Sequence, residues 1–117
     1  MTVTEFLDRL KNNETIDFAD SMAVIADHYH YQPTAFSNGL GADKLDNPGG
    51  TNEGSCKIFA FARLHRLDPA QTLQLFGDYY RKDVLEDPTG SGHQNIRNFM
   101  KYGWEGIHFS ANALTEK

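Results

Sequence analysis

Between Ser37 and Gly54 the chain reads S-N-G-L-G-A-D-K-L-D-N-P-G-G-T-N-E-G, a stretch that holds five of its ten glycines. Structureless connections longer than about 12–15 residues are uncommon inside compact domains and are often functional or disordered. This one spans 18 residues and runs straight into Ser55-Cys56-Lys57 and the most apolar segment of the chain. A fold that contains it must either hold these polar residues in place or leave them free. Either way they mark where a site would lie, although no motif in them names a reaction.

The chain has 117 residues, room for one compact domain with a core that needs no staples. Its formal charge is −5 with a pI near 5.4. Sequence-independent binding of nucleic acid needs a net basic face, so that class is excluded. A single cysteine, Cys56, leaves no disulfide within the chain and no Cys-rich zinc site, and an unpaired thiol suits a reducing cytosol. The opening M-T-V-T-E-F-L-D-R-L-K has neither the basic nor the apolar region of a secretory signal. The longest apolar run is far below the roughly 20 residues that span a bilayer. A cytoplasmic protein is expected, with no membrane contact, no nucleic-acid partner and no cofactor.

The element pattern is mainly α, a single domain of about five helices. Thr2 and Glu5 have capping-box spacing ahead of the stripe Phe6, Leu7 and Leu10. A second helix begins near Asp17, with Phe18, Met22, Ile25 and Tyr29 on one face. Pro33 stops any continuation and Tyr29–Ser37 reads as extended. The third helix, Ser55 to Arg66, is apolar nearly all round at Ile58–Ala62, which places it at the centre of the domain. Asp68-Pro69-Ala70-Gln71 is a complete start signal for a fourth, which continues toward Pro88 along Leu73, Phe76, Tyr80 and Val84. Ser91 and Gln94 are spaced to open a fifth, burying Ile96, Phe99, Met100 and Gly103 and showing Gln94, Arg97, Asn98 and Lys101 to solvent. Trp104–Phe109 alternates as a strand that pairs with Thr34–Ser37, one small two-stranded element. The tail from Ser110 is expected to be loosely held.

Gly49-Gly50-Thr51-Asn52-Glu53-Gly54 has the glycine spacing of a phosphate loop. The lysine falls two residues late, at Lys57, and Asn47-Pro48 stands where a strand should precede, so nucleotide hydrolysis is not expected. A glycine-rich turn that feeds a helix start still exposes free N–H groups able to hold an anion. Asn38, Lys44, Asn52, Glu53, Ser55 and Lys57 from this stretch therefore make one half of a candidate binding site. Asn95, Arg97, Asn98 and Lys101, a small polar and basic face on an acidic protein, make the other. The expected ligand is small and polar or anionic, with a protein partner as the alternative. Cys56 in the first turn of a helix is a candidate nucleophile, since the dipole there favours thiolate, with His93 or His108 as its base. Its bland alternative is a small buried hydrophobe. The five histidines form no metal motif, and no metal site is expected.

Four long strings carry a likeness beyond pattern: M-A-V-I-A-D-H-Y from Met22, P-T-A-F-S-N-G-L-G from Pro33, G-T-N-E-G-S-C-K-I-F-A-F-A-R-L-H from Gly50 and N-I-R-N-F-M-K-Y-G-W-E-G-I from Asn95. With them the chain resembles the HopJ type III effector family over nearly its full length. The family name implies an association with type III secretion and supplies no activity, cofactor or catalytic residue to transfer. Effector N-termini are usually flexible and Ser-rich, whereas this chain starts on a helical pattern, an expectation against delivery into a host.

Overall fold

The structure is a computed structural model that describes all of Met1–Lys117. Local capping starts three of its helices, two of them at boxes that the sequence spacing predicts. The Glu5 N–H donates to Thr2 Oγ1 at 3.0 Å and the Thr2 N–H to Glu5 Oε1 at 3.3 Å, opening α1, Val3–Lys11. The Asp17 N–H donates to Asp20 Oδ2 at 3.1 Å at the head of α2, Phe18–His28. After α3, Glu53–Leu64, the reciprocal pair of Asp68 and Gln71, at 2.7 and 3.1 Å, opens α4, Pro69–Gln74. Each such cap satisfies amides that a helix start would otherwise leave bare.

The long fourth helix expected from Asp68 is broken. Gly77 adopts φ +61°, and a Cβ there would sit 2.5 Å from the Phe18 amide nitrogen. The chain closes against the start of α2 at that point and resumes as a π-helix, Tyr79–Val84. The fifth helix, α5, Gln94–Tyr102, forms where expected, but the Ser91–Gln94 box does not cap it. His93 is its N-cap, in the left-handed conformation.

Helix α3 is buried along Ile58, Phe59, Ala60, Phe61 and Ala62. Residues two apart on a helix point about 200° apart, so Phe59 and Phe61 organise opposite sides. The Phe59 ring meets Phe36, Phe76 and Phe99 at 5.9, 5.4 and 5.0 Å. Phe61 meets Phe6, Tyr29 and His65 at 5.9, 5.8 and 4.6 Å. One helix thereby ties α1 and α2 to the α5 side of the molecule.

Two small antiparallel sheets replace the single two-stranded element. Strand β1, Tyr29–Tyr31, pairs with β5, Leu114–Glu116, with His30 opposite Thr115. The tail after Ser110 is therefore tied down, with Leu114 buried. In the second sheet β2, Phe36–Asn38, lies between β3, Leu45–Asn47, and β4, His108–Phe109. The expected pairing of the Thr34 region with the Phe109 region is present as Phe36 opposite Phe109. The predicted strand is shorter than its alternation, because Gly103–Gly106 turns as a 3₁₀ helix. The glycine-rich stretch is not a bare loop either. It contains a 3₁₀ turn, Gly41–Asp43, and all of β3.

Gly77→Ala should destabilise the protein by at least about 2 kcal/mol, from the left-handed backbone cost plus the clash with α2. Gly49→Ala, which meets no atom closer than 3.6 Å, should be near neutral. Urea unfolding of the two variants beside the parent checks the contrast.

Candidate ligand-binding cleft

The glycine-rich stretch is held by buried amide side chains. Asn47, at the end of β3, accepts on Oδ1 from Asn95 Nδ2 at 2.9 Å and from Asn52 Nδ2 at 2.7 Å. In return Asn47 Nδ2 donates to Asn95 Oδ1 at 3.2 Å. Asn38 Nδ2 donates to the Asn95 carbonyl and to Asn95 Oδ1, at 2.8 and 3.1 Å. Asn98 Nδ2 reaches the carbonyls of Asn38 and Asp43 at 3.0 and 2.9 Å, while its Oδ1 accepts from Gln94. Asn98 was expected on the solvent face of α5, yet only 4% of it is exposed. Met100 was expected inside and is 45% exposed. The inner side of α5 is occupied by Asn95, Ile96, Asn98 and Phe99, because β2 and the 3₁₀ turn bring backbone carbonyls there that need donors.

Asn52 is the N-cap of α3 and Asn95 lies in the first turn of α5, so their shared acceptor draws two helix starts together. Both starts have the same unusual form. Asn52 has φ 52°, ψ 49° and His93 φ 56°, ψ 50°, and neither puts a side chain on the first helical amides. The leading N–H groups of each helix have no intrahelical acceptor. Between the two starts opens a cleft of about 480 Å³ lined by Asn52, Gly54 and Ser55 from α3 and by Gln94 and Asn95 from α5.

Aromatic rings form its wall. Phe18 stands edge-on to Tyr79 at 5.0 Å, and Tyr79 lies 5.2 Å from the His93 ring. His93 Nε2 is 3.1 Å from Asp83 Oδ2, which fixes the ring at the rim. A Cβ on Gly54 would be 2.8 Å from Phe18 Cζ, so the glycine gives that ring its place. A second cleft of about 450 Å³ beside Leu10 and Gln71 is less suited to a ligand. Its cation, Arg81, already donates to the Ile16 carbonyl at 2.8 Å and to Gln74 at 3.2 Å.

Of the residues singled out from the sequence, Asn52, Ser55, Asn95 and His93 meet at the cleft, and Asn38 and Asn98 stand behind it. Glu53 is the first residue of α3. The cations are elsewhere. Lys101 Nζ binds Asp43 Oδ2 at 2.7 Å, Lys44 lies 3.8 Å from Asp46, and Lys57 sits over the Tyr31 ring at 4.7 Å. Arg97 donates to the carbonyls of Gly92 and Asp87 at 2.6 and 2.8 Å. Cys56 is 1% exposed, its thiol donates to the Thr34 carbonyl at 3.5 Å, and burial holds its pKa above the ordinary thiol value. With His93 on Asp83 and His108 paired across from Ser37, this geometry is that of a core thiol. Phe18 and Tyr79 were not singled out as site residues. Tyr79 carried a faint signal: adjacent Tyr79 and Tyr80 point about 100° apart on a helix, so only one can follow the core stripe.

The profile of the HopJ type III effector protein family matches residues 3–114. The chain belongs to the HopJ type III effector family. A solved crystal structure of a protein of unknown function, VPA0580, has a TM-score of 0.94 and 51% sequence identity to this HopJ-family chain, covering 100% of it and 95% of that protein. No curated protein matches the chain significantly. No helix of this HopJ-family fold is long and apolar enough to cross a membrane.

Two outcomes follow for the amide cluster and its border. Asn95→Ala removes the Oδ1 that accepts from Asn38 and Asn47 and the Nδ2 that donates to Asn47, while Asn38 keeps the residue 95 carbonyl and Asn47 keeps the Leu45 carbonyl. A loss of about 1–3 kcal/mol is therefore expected in denaturant unfolding. Hydrogen exchange in residues 38–54 should rise with it. At the border, hydrogen bonds from Lys101 and Tyr102, followed by the charge of Lys101, hold Asp43 below its ordinary value of 3.8. A lowered carboxyl pKa stabilises the fold fully above the unfolded value, and this is lost as pH falls through the lower, folded one. The Asp43 carboxyl carbon resonance should therefore titrate with a midpoint below 3.8, and Lys101→Met should return it toward that value.

Proposed function

We propose that this protein is a binding module whose cleft between the starts of α3 and α5 receives a small ligand carrying one anionic or strongly polar acceptor group on a flat, apolar body. The observation that carries the reading is the pair of left-handed, uncapped helix starts that face one cleft. A non-glycine residue in that conformation costs about 1–2 kcal/mol, and a conventional Ser, Thr or Asp cap would have satisfied the same amides more cheaply. Here the amides are left available, and the dipoles of both helices favour negative charge at that point.

The lining narrows the ligand class. Neither lysine nor arginine lines the cleft, which disfavours nucleotides and other polyanions. Phe18 and Tyr79 offer a ring face or edge to a planar group. An aromatic monocarboxylate satisfies both demands. A few charge-assisted hydrogen bonds and one buried ring amount to roughly 4–8 kcal/mol, a dissociation constant between millimolar and micromolar.

Titration of ¹⁵N-labelled protein with benzoate, indole-3-acetate, inorganic phosphate and ATP tests this. Saturable shifts in the amides of Glu53–Ser55 and Gln94–Asn95 are expected with the aromatic carboxylates and not with ATP. Ser55→Asp places a carboxylate in the first turn of α3. It should abolish those shifts while stability is held or raised by about 0.3–1 kcal/mol. Unmoved cleft amides with every compound at millimolar concentration, or unchanged binding in Ser55→Asp, would overturn the reading.

A further inference from the structure

Across the molecule's other surfaces, one groove combines exposed apolar side chains with positive charge. It lies between the end of the π-helix and the outer side of α5, has a volume of about 290 Å³, and is lined by Val84, Leu85, Pro88, Arg97, Met100 and Lys101. It shares no lining residue with the cleft. Val84 is buried and forms its floor, while Leu85 is 47% and Met100 45% exposed. Those are two of the six large hydrophobic residues that the surface exposes, and here they stand together.

Its charge runs against that of the rest of the chain. The protein carries 16 acidic and 11 basic residues, yet no carboxylate lines the groove, and of its two cations Lys101 is paired with Asp43 Oδ2 at 2.7 Å while Arg97 carries the unpaired charge. Arg97 and Lys101, one helical turn apart, flank Met100. The Arg97 fork is held in place by Nε on the Gly92 carbonyl and Nη1 on the Asp87 carbonyl. Carbonyls orient a guanidinium without neutralising it, and Asp87 offers Arg97 its backbone oxygen rather than its carboxylate. Arg97 takes part in no ion pair, and its Nη2 has no acceptor among the side-chain hydrogen bonds. The result is a pre-oriented, charged donor beside an apolar trough, which lowers the ordering cost of an incoming carboxylate.

We propose that this groove docks a short segment of a partner protein in which an apolar side chain stands next to a carboxylate. The apolar side chain fills the space between Leu85 and Met100 over Val84. The carboxylate meets Arg97 Nη2, since Lys101 is already paired with Asp43. Charge complementarity decides the occupant: a basic segment would face Arg97 and Lys101, and an uncharged one would leave the oriented guanidinium unanswered. A groove of this volume takes one or two apolar anchors, so the segment is short and its affinity falls with added salt.

The test uses the full-length protein and a capped peptide of alternating leucine and glutamate, with a leucine–lysine peptide of equal length as control. The glutamate peptide should shift the amides of Val84, Leu85, Met100 and Lys101 and the Arg97 Nε resonance. Leu85→Glu and Met100→Glu, both at exposed positions, should each weaken it about tenfold or more with little change in melting temperature. Equal binding of the two peptides, no shift at millimolar peptide, or full affinity in both variants overturns the proposal. So does a concentration-dependent dimer, seen by sedimentation, that moves the same amides without peptide, since the occupant is then a second copy of the chain. The cleft amides serve as a separate readout, so loss of one proposal leaves the other standing.

Discussion

The side-chain oxygen of Asn47 holds the two halves of the molecule in register. It accepts from Asn52 at the start of α3 and from Asn95 at the start of α5, and so sets the separation of two helices whose first amides remain free. A neutral amide suits this task. It both gives and accepts, which lets Asn47 and Asn95 answer each other, whereas a buried carboxylate at either position would carry a desolvation cost and lack a donor. Paired amides in a low-dielectric interior are mutually reinforcing, and in this cluster one atom, Asn38 Oδ1, is buried without a partner. The 18-residue polar stretch from Ser37 to Gly54 is ordered by this means.

The apolar side of the same arrangement is α3. Phe59 and Phe61 face opposite ways, and each gathers aromatic rings from elements distant in the chain. With α3 fixed from both sides, its N-terminus cannot drift, and the left-handed conformation of Asn52 is held by packing and by its bond to Asn47. The same holds for His93, set by Asp83 and by the Tyr79 ring. Local strain at both helix starts is thus offset by tertiary contacts, a pattern met at sites where backbone groups are kept available.

The cations are largely used as struts. Lys101 secures the 3₁₀ turn through Asp43, Arg81 spans α4 and the segment before α2, and Arg97 pins the turn ahead of α5. The cleft is consequently left without a positive side chain, so any negative charge it holds is met by backbone dipoles and not by ion pairs. Beside Leu85 and Met100, Arg97 keeps unspent capacity next to exposed apolar surface.

The sequence by itself determined the helices and the place of α3. Capping residues act over three or four positions, so Thr2 with Glu5 and Asp68 with Gln71 fold as they read, and an all-round apolar run such as Ile58–Ala62 has nowhere to go but the centre. The pairing of the Phe36 and Phe109 segments was also legible, because Trp104–Phe109 alternates and Tyr29–Ser37 reads as extended. Tertiary structure alone decided the rest. Gly77 breaks the fourth helix since the backbone of α2 lies against it. Asn98 turns inward since carbonyls of β2 and the 3₁₀ turn await donors there. The tail is ordered since β1 offers it an open edge. The cleft itself depends on Asn47 and Asn95, which lie 48 residues apart. No local propensity specifies such a contact: asparagine is equally at home in a solvated turn, and only the tertiary packing brings these two amides, with Asn38 and Asn52, into one cluster.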